Sequence, residues 1–127
     1  MGDLDGMADR GVIRALVVYS KTFYFYDKGH PRGISCEALQ AFEEHVNKAL
    51  KLGSVRVNVV FIPVHRDELI EALVKGKGDI AVSNLTITPD RQRLVDFSDP
   101  VLTGVKEIVV TSTNPPQLTT LDDLSGK

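Results

Sequence analysis

One polar segment in the middle of the chain has the residue types and spacing to bind a small acid. Residues 83–91 read SNLTITPDR. Thr88 followed by Pro89 is typical of a helix start, with Thr88 as the N-cap and Pro89 in the first helical position. Free backbone N–H groups there, beside the Arg91 guanidinium, suit a carboxylate, because arginine can hold both of its oxygens. The alternative is that Thr88 is only a cap and Arg91 only a solvated surface residue.

Two further segments could contribute to the same site. Residues 23–26 read FYFY and hold four of the eight aromatic residues of the chain. Their rings could stack on an apolar or cationic part of a ligand, or alternate rings could instead be anchored in the core. His65 and Arg66 precede a predicted helix and could add a polar contact, although such a pair is more often solvated.

Catalytic, metal and cofactor motifs are missing from the sequence. The patterns HExxH, GxSxG, GxGxxG and GxxxxGK[ST] do not occur. The single cysteine, Cys36, excludes an internal disulfide and a CxxC site, and it is expected to be a small buried residue. The three histidines lie in unrelated predicted elements: His30, His45 and His65. We therefore expect no catalytic residues, no metal and no cofactor.

Length, composition and charge describe one globular domain. The chain has 127 residues, of which 43% are hydrophobic and 25% are charged, and its formal net charge is −2. That charge provides no positive field for nucleic acid, which we exclude as a partner. No stretch of 18 apolar residues occurs, so no membrane span is expected.

The hydrophobic pattern predicts alternating strands and helices. Strands are predicted over 12–19, 55–63, 79–83 and 106–111, helices over 34–52 and 66–75, a loop over 20–32, and a loop with a small helical turn over 84–93. This order predicts an α/β fold, a mostly parallel sheet with helices on both faces. Ligands of such sheets bind beyond the carboxyl ends of the strands, where residues 23–26, 65–66 and 83–91 are all expected to lie.

Four motifs resemble those of the family-3 periplasmic solute-binding proteins. They are Gly33 with Glu37, GDIA at 78–81, LTITPDR at 85–91 and VDFSDP at 95–100. The resemblance extends from about residue 11 to residue 127. It implies one lobe of the two-lobed type II periplasmic-binding fold, which binds amino acids and related small molecules.

Three other segments are similar to the solute-binding module of membrane-bound lytic murein transglycosylases. They read VVYSKTFYF at 17–25, VFIPV at 60–64 and VLTGV at 101–105. In those enzymes the module precedes a separate catalytic domain that cleaves peptidoglycan, and it is regarded as a sensor of cell-wall peptides.

The family resemblance also implies roles for individual residues. It places Tyr24, or its neighbour Phe23, where the family stacks an aromatic ring on the ligand. Arg91 falls where the family binds the ligand carboxylate, and Arg66 falls where amino-acid binders usually carry an apolar residue, which implies a more polar or larger ligand. Two residues stand where the family supplies polar contacts: Asn84 and Thr86.

The resemblance implies a domain organisation as well. Residues 11–112 are expected to form lobe one, residues 1–10 a leader or an added segment, and residues 113–127 a linker toward a second lobe that the chain lacks. Affinity for a small carboxylate-bearing ligand is expected to be weak, because the second lobe would close the site. The parent protein is expected to be periplasmic or associated with the outer membrane, with a possible catalytic domain of its own.

Three functions remain open at this point. The chain could be a sensing module that regulates a lytic murein transglycosylase, or a lobe of an amino-acid-binding protein of an ABC transporter. A dehydratase-like enzyme on the same fold is the third, and it would need an acid or base that only His65 could provide. In the first two functions the chain is not an enzyme by itself.

Overall fold

A parallel sheet of three strands forms the centre of the part of the chain that the structure describes. The computed structural model describes residues 4–51 and 56–105. The strands are β1 (Val12–Val18), β2 (Phe25–Asp27), β3 (His30–Arg32), β4 (Asn58–Val64) and β5 (Ile80–Val82), and the helices are α1 (Leu4–Arg10), α2 (Ile34–Leu50), α3 (Leu69–Val74) and α4 (Pro89–Gln92). The sheet order is β4-β1-β5, with β1 parallel to both neighbours.

β1 is buried because it is the middle strand and helices cover both of its faces. Ala15 and Val17 pack on one face in a cluster with Leu39 of α2. Leu16 points to the other face and packs against Leu69 and Ala72 of α3. The predicted α/β fold, a parallel sheet with a helix on each face, is confirmed.

The long helix was predicted within two residues at its carboxyl end. The expected span of 34–52 corresponds to α2, which ends where Lys51 takes a left-handed conformation with φ 46°. The helix could be predicted from the sequence because apolar residues recur at every fourth position. The expected stop at Gly53 and the expected strand over 106–111 lie outside the described residues, as does the expected linker over 113–127.

The predicted loop over 20–32 is wrong in its second half, which forms the antiparallel hairpin β2–β3. Lys28 and Gly29 connect the two strands, and both have positive φ, 49° and 82°. A two-residue turn with positive φ at both positions matches the twist of a hairpin, so the Lys-Gly pair determines this structure. The second predicted helix, over 66–75, is shorter than expected, because residues 65–68 form a turn before α3 begins at Leu69.

Residues 4–10, expected to be a leader or an added segment, form α1 and lie against the domain. Met7 and Ala8 pack on the cluster of Ile13, Val46 and Val57. The helix therefore adds apolar cover at the amino-terminal end of the sheet. None of the helices in the described ranges is both long enough and apolar enough to cross a membrane.

Asp79 joins α1, β1 and β5 at the edge of the sheet opposite the predicted site. Its carboxylate is fully buried and accepts hydrogen bonds from Arg14 Nη2 at 2.9 Å, Arg14 Nε at 3.2 Å and the Arg14 backbone N–H at 2.9 Å. Arg10 donates a further bond at 3.0 Å. The side-chain hydrogen bonds from Arg14 are the main reason that the pKa of Asp79 is lowered to about 2.

Candidate functional site

A cavity of about 220 Å³ opens at the carboxyl edge of the sheet. Its walls come from the ends of β1 and β5, from the loop after β1 and from the segment after β4. The lining residues are Val18, Tyr19, Ser20, Phe23, Arg66, Val82, Ser83 and Asn84. The cavity therefore lies at the edge of the sheet where the alternation of strands and helices predicted a ligand site.

Phe23 is held at the cavity by a tight loop and by the start of α2. Ser20 and Tyr24 exchange backbone hydrogen bonds of 2.9 and 3.2 Å, which closes the loop. The backbone N–H groups of Ile34 and Ser35 donate to the carbonyl oxygens of Thr22 and Phe23, at 3.1 and 2.9 Å. The first turn of α2 thus fixes the backbone that carries the Phe23 ring.

Tyr24 lies in the core. Its ring is fully buried and stacks on Phe61, with the ring centroids 5.6 Å apart. The Tyr24 hydroxyl donates to the Tyr26 hydroxyl at 3.2 Å, and burial raises the pKa of Tyr24. Of the two aromatic residues that the family resemblance offered as the stacking ring, Phe23 lines the cavity and Tyr24 does not.

Tyr19 is a cavity residue that sequence reasoning missed. It follows directly after β1 and is 58% exposed. Its ring centroid is 5.5 Å from that of Tyr24. The signal was available, because the residue after a buried parallel strand lies at the edge where ligands bind, but Tyr19 was counted as the end of the apolar run.

Arg66 and Asn84 form a double hydrogen bond across the cavity wall. Arg66 Nη1 donates to Asn84 Oδ1 at 2.8 Å, and Arg66 Nη2 donates to the Asn84 carbonyl oxygen at 3.1 Å. This contact joins the segment after β4 to the segment after β5. The guanidinium is held in place by neutral groups, so its positive charge is not neutralised by Asn84.

Thr88 caps α4 as predicted, and Pro89 occupies the first turn. The Thr88 Oγ1 accepts from the Arg91 backbone N–H at 3.3 Å. The Arg91 side chain folds back on the same loop, where its Nη1 donates to the Thr86 carbonyl oxygen at 2.7 Å. Neither Arg91 nor Thr86 lines the cavity. The predicted contacts of these two residues with a ligand stay predictions.

The lining chemistry suits binding. It combines two aromatic rings, two serine hydroxyls, one amide and one guanidinium. No carboxylate or imidazole is among the described residues that line the cavity, and His65, the candidate acid or base, is exposed and is not one of them. Within the described ranges, no group of three or more His, Cys, Asp or Glu residues could hold a metal ion. Cys36 is buried, as expected, and burial raises the pKa of its thiol.

Comparison with known proteins gives one consistent family. Residues 15–121 match the family model of the bacterial extracellular solute-binding proteins, family 3. The chain is 28% identical to the membrane-bound lytic murein transglycosylase F of Aeromonas hydrophila over an alignment of 124 residues. The alignment covers 97% of this chain and 23% of the transglycosylase. It is also 27% identical to the amino-acid-binding protein AabA of Dichelobacter nodosus over an alignment of 104 residues. That alignment covers 82% of this chain and 37% of AabA.

A solved structure agrees with the sequence matches. An ancestral cationic amino acid solute-binding protein superposes with a TM-score of 0.65 and 37% identity, over 76% of this chain and 39% of that one. The chain thus spans less than two fifths of the length of each of these three proteins. The parallel sheet, the cavity at its carboxyl edge and the match over residues 15–121 lead to one conclusion: the chain belongs to family 3 of the bacterial extracellular solute-binding proteins.

Proposed function

We propose that the chain is a binding and sensing module for a small carboxylate-bearing ligand, an amino acid or a cell-wall peptide. The observation that carries the proposal is the cavity at the carboxyl edge of the sheet, where three separate segments bring together Phe23, Arg66 and Asn84. An aromatic wall with an amide and a guanidinium provides apolar contact together with directed hydrogen bonds, which is the usual composition of a small-ligand site.

The parent protein that we favour is a lytic murein transglycosylase whose activity this module regulates. Similarity to transglycosylase F over 97% of the chain supports this, and the 23% of that protein that is covered leaves room for a separate catalytic domain. The location would then be periplasmic or associated with the outer membrane. The module itself has no acid or base among the described cavity residues, which disfavours a dehydratase-like enzyme.

The second candidate is a lobe of an amino-acid-binding protein of an ABC transporter. Similarity to the protein AabA and to the ancestral cationic amino acid-binding protein favours it. The two candidates differ in what the parent gene encodes. A lytic transglycosylase domain encoded downstream of the codon for Lys127 supports the sensor, whereas a second solute-binding lobe followed by a stop codon supports the transport receptor.

The proposed role of Arg91 is to hold the ligand carboxylate, with Thr86 as a polar neighbour. Arg91 uses one N–H donor on the Thr86 carbonyl oxygen, and other donors of its guanidinium remain. Changing Arg91 to alanine is expected to weaken the binding of amino acids about tenfold or more, because a charge-assisted hydrogen bond is lost. Backbone amide shifts during an NMR titration with amino acids and cell-wall peptides measure this.

In the unchanged protein the shifts should cluster at residues 23–26 and 84–91, and they should largely vanish in Arg91→Ala. Arg93→Ala is the matched control, because Arg93 lies at the end of the same short helix and pairs with Asp90 on the exposed surface. Shifts that spread over other parts of the protein, or an Arg91→Ala titration that matches that of Arg93→Ala, would contradict the assignment.

A further inference from the structure

Arg66 is the one charged side chain among the described residues that line the cavity. It makes no ion pair with a carboxylate within 4 Å in the described part of the chain. Its partner is Asn84, which contributes an amide oxygen and a carbonyl oxygen and no negative charge. The cavity therefore carries an uncompensated positive charge on one wall.

The geometry of this pair leaves Arg66 free to bind something else. A guanidinium has five N–H donors, and two of them are donated to Asn84, so three remain. The two bonds to Asn84 also fix the plane of the guanidinium. The Arg66 side chain therefore loses less conformational entropy when a ligand binds. A fixed guanidinium with free donors is well suited to a planar anion such as a carboxylate.

Among the described residues, the other groups that line the cavity are neutral. Besides Asn84, they are Tyr19, Ser20, Phe23 and Ser83, together with two valines. None of these side chains carries a negative charge, so a cationic ligand group would find at most a cation–π contact with a ring, and Arg66 would repel it. The cavity therefore favours ligands whose side chain is acidic over ligands whose side chain is neutral or basic.

We infer that Arg66, oriented by Asn84, forms a second anion subsite, so that this protein selects ligands with two acidic groups, such as a dicarboxylic amino acid or an acidic peptide. The inference rests on the proposed function, in which Arg91 holds the first carboxylate, and it adds the class of ligand. It also separates this chain from the relative named for cationic amino acids.

Glutamate and glutamine provide the test, because they have nearly the same size and differ by one negative charge. Glutamate is expected to bind about tenfold more tightly than glutamine, a difference of about 1.4 kcal/mol, and lysine more weakly than either. Backbone amide shifts of the full 127-residue chain, followed to saturation or to about 50 mM ligand, measure the three affinities.

Arg66→Met is the variant that tests the subsite. It keeps a long apolar side chain and removes the charge, so glutamine should bind as before while the preference for glutamate disappears. Lys48→Met is the matched control, since it removes one positive charge from the exposed face of α2 and should leave the preference unchanged. Amide spectra of both variants report whether the fold is kept.

The outcomes distinguish this inference from the proposed function. Equal affinity for glutamate and glutamine in the unchanged protein, or a glutamate preference that survives in Arg66→Met, would overturn the second subsite and leave the module a binder of amino acids. If no amino acid shifts any cavity residue in the unchanged protein, the proposed function fails, and the subsite fails with it.

Discussion

Changing Asp79 to alanine is expected to lower the free energy of unfolding by about 3 kcal/mol. The carboxylate is fully buried and joins three elements through bonds from Arg10, from the Arg14 side chain and from the Arg14 backbone. Its removal leaves the Arg14 backbone N–H without its partner and leaves the guanidinium without a counter-charge, and breaking such a pair costs about 3 to 5 kcal/mol. We take the lower end because Arg14 is 35% exposed.

Urea unfolding measured by circular dichroism would determine this loss. Asp90→Ala is the matched control, because Asp90 also pairs with an arginine, Arg93, but both of these side chains are largely exposed. Exposed ion pairs contribute about 0 to 1 kcal/mol, so the control should lose little. Similar losses in the two variants would show that Asp79 does not hold the amino-terminal edge of the sheet together.

The Asp79 carboxylate also makes the stability of the folded protein depend on pH, and its contribution is lost at low pH. The pKa of Asp79 is lowered from 3.8 to about 2, mainly because Arg14 donates side-chain hydrogen bonds to the charged form. The folded protein therefore binds this proton less readily than the unfolded chain does. The stabilisation is complete above pH 4 or so and is lost as the pH falls toward 2, with a magnitude of about 2 kcal/mol.

Comparison with Asp79→Asn isolates this effect from that of the other carboxylates. Between about pH 6 and pH 2.5 the unchanged protein should lose more stability than the variant, since only in the unchanged protein does the unfolded chain take up a proton at position 79 that the folded protein binds less readily. Equal losses over that interval, measured by urea unfolding, would contradict the lowered pKa.

The second large effect is expected from Gly33→Ala, at about 3 kcal/mol of unfolding free energy. Gly33 has φ 114°, a conformation that a residue with a Cβ rarely adopts. A Cβ at this position would overlap the carbonyl group of Phe23 and would lie 3.0 Å from the Thr22 carbonyl oxygen. Because those are backbone atoms, the loop itself must move, and overpacking adds about 1 to 3 kcal/mol to the conformational cost.

Gly33→Ala should also weaken ligand binding, since the loop that moves carries Phe23 at the cavity wall. Gly29→Ala is the control: it also has a positive φ, 82°, but a Cβ there meets nothing within 4 Å. The control should lose about 1 kcal/mol and should bind ligand normally. Thermal unfolding and the amide titration measure the two effects, and a Gly33→Ala variant that behaves like Gly29→Ala would contradict the account of this loop.

The order of strands and helices was predictable because apolar residues recur at regular spacing. β1 is apolar on both faces, and α2 carries an apolar residue at every fourth position, so the sequence indicates both elements. The expected apolar face of α2 is wrong, however: Ile34 and Phe42 are 55% and 36% exposed, and Cys36 and Leu39 pack into the core instead. The hairpin β2–β3 was not predicted, because its strands are three residues long and its turn depends on the left-handed conformation of Lys28. Such a conformation is rare for lysine and leaves no periodic signal.

The location of the candidate site could be predicted from the sequence, but several of the side chains that line it could not. Each of the three segments expected at the carboxyl edge contributes to the cavity, through Phe23, through Arg66 and through Asn84 with its neighbour Ser83. Thr86 and Arg91 do not line it, and their contacts with a ligand stay predictions. Which of two adjacent rings faces the core depends on the bridge between Ser20 and Tyr24, a contact that the sequence does not show. The pairing of Arg66 with Asn84 joins segments 18 residues apart and emerged only from the fold.

Intermolecular nuclear Overhauser effects between a bound ligand and the protein would show whether the cavity is the ligand site. In a sample of the chain with saturating glutamate, we predict cross-peaks between the methylene protons of the ligand and the ring protons of Phe23 and Tyr19. Cross-peaks confined to protons elsewhere, such as those of the hairpin β2–β3 or the exposed face of α2, would contradict the claim and move the site to that surface.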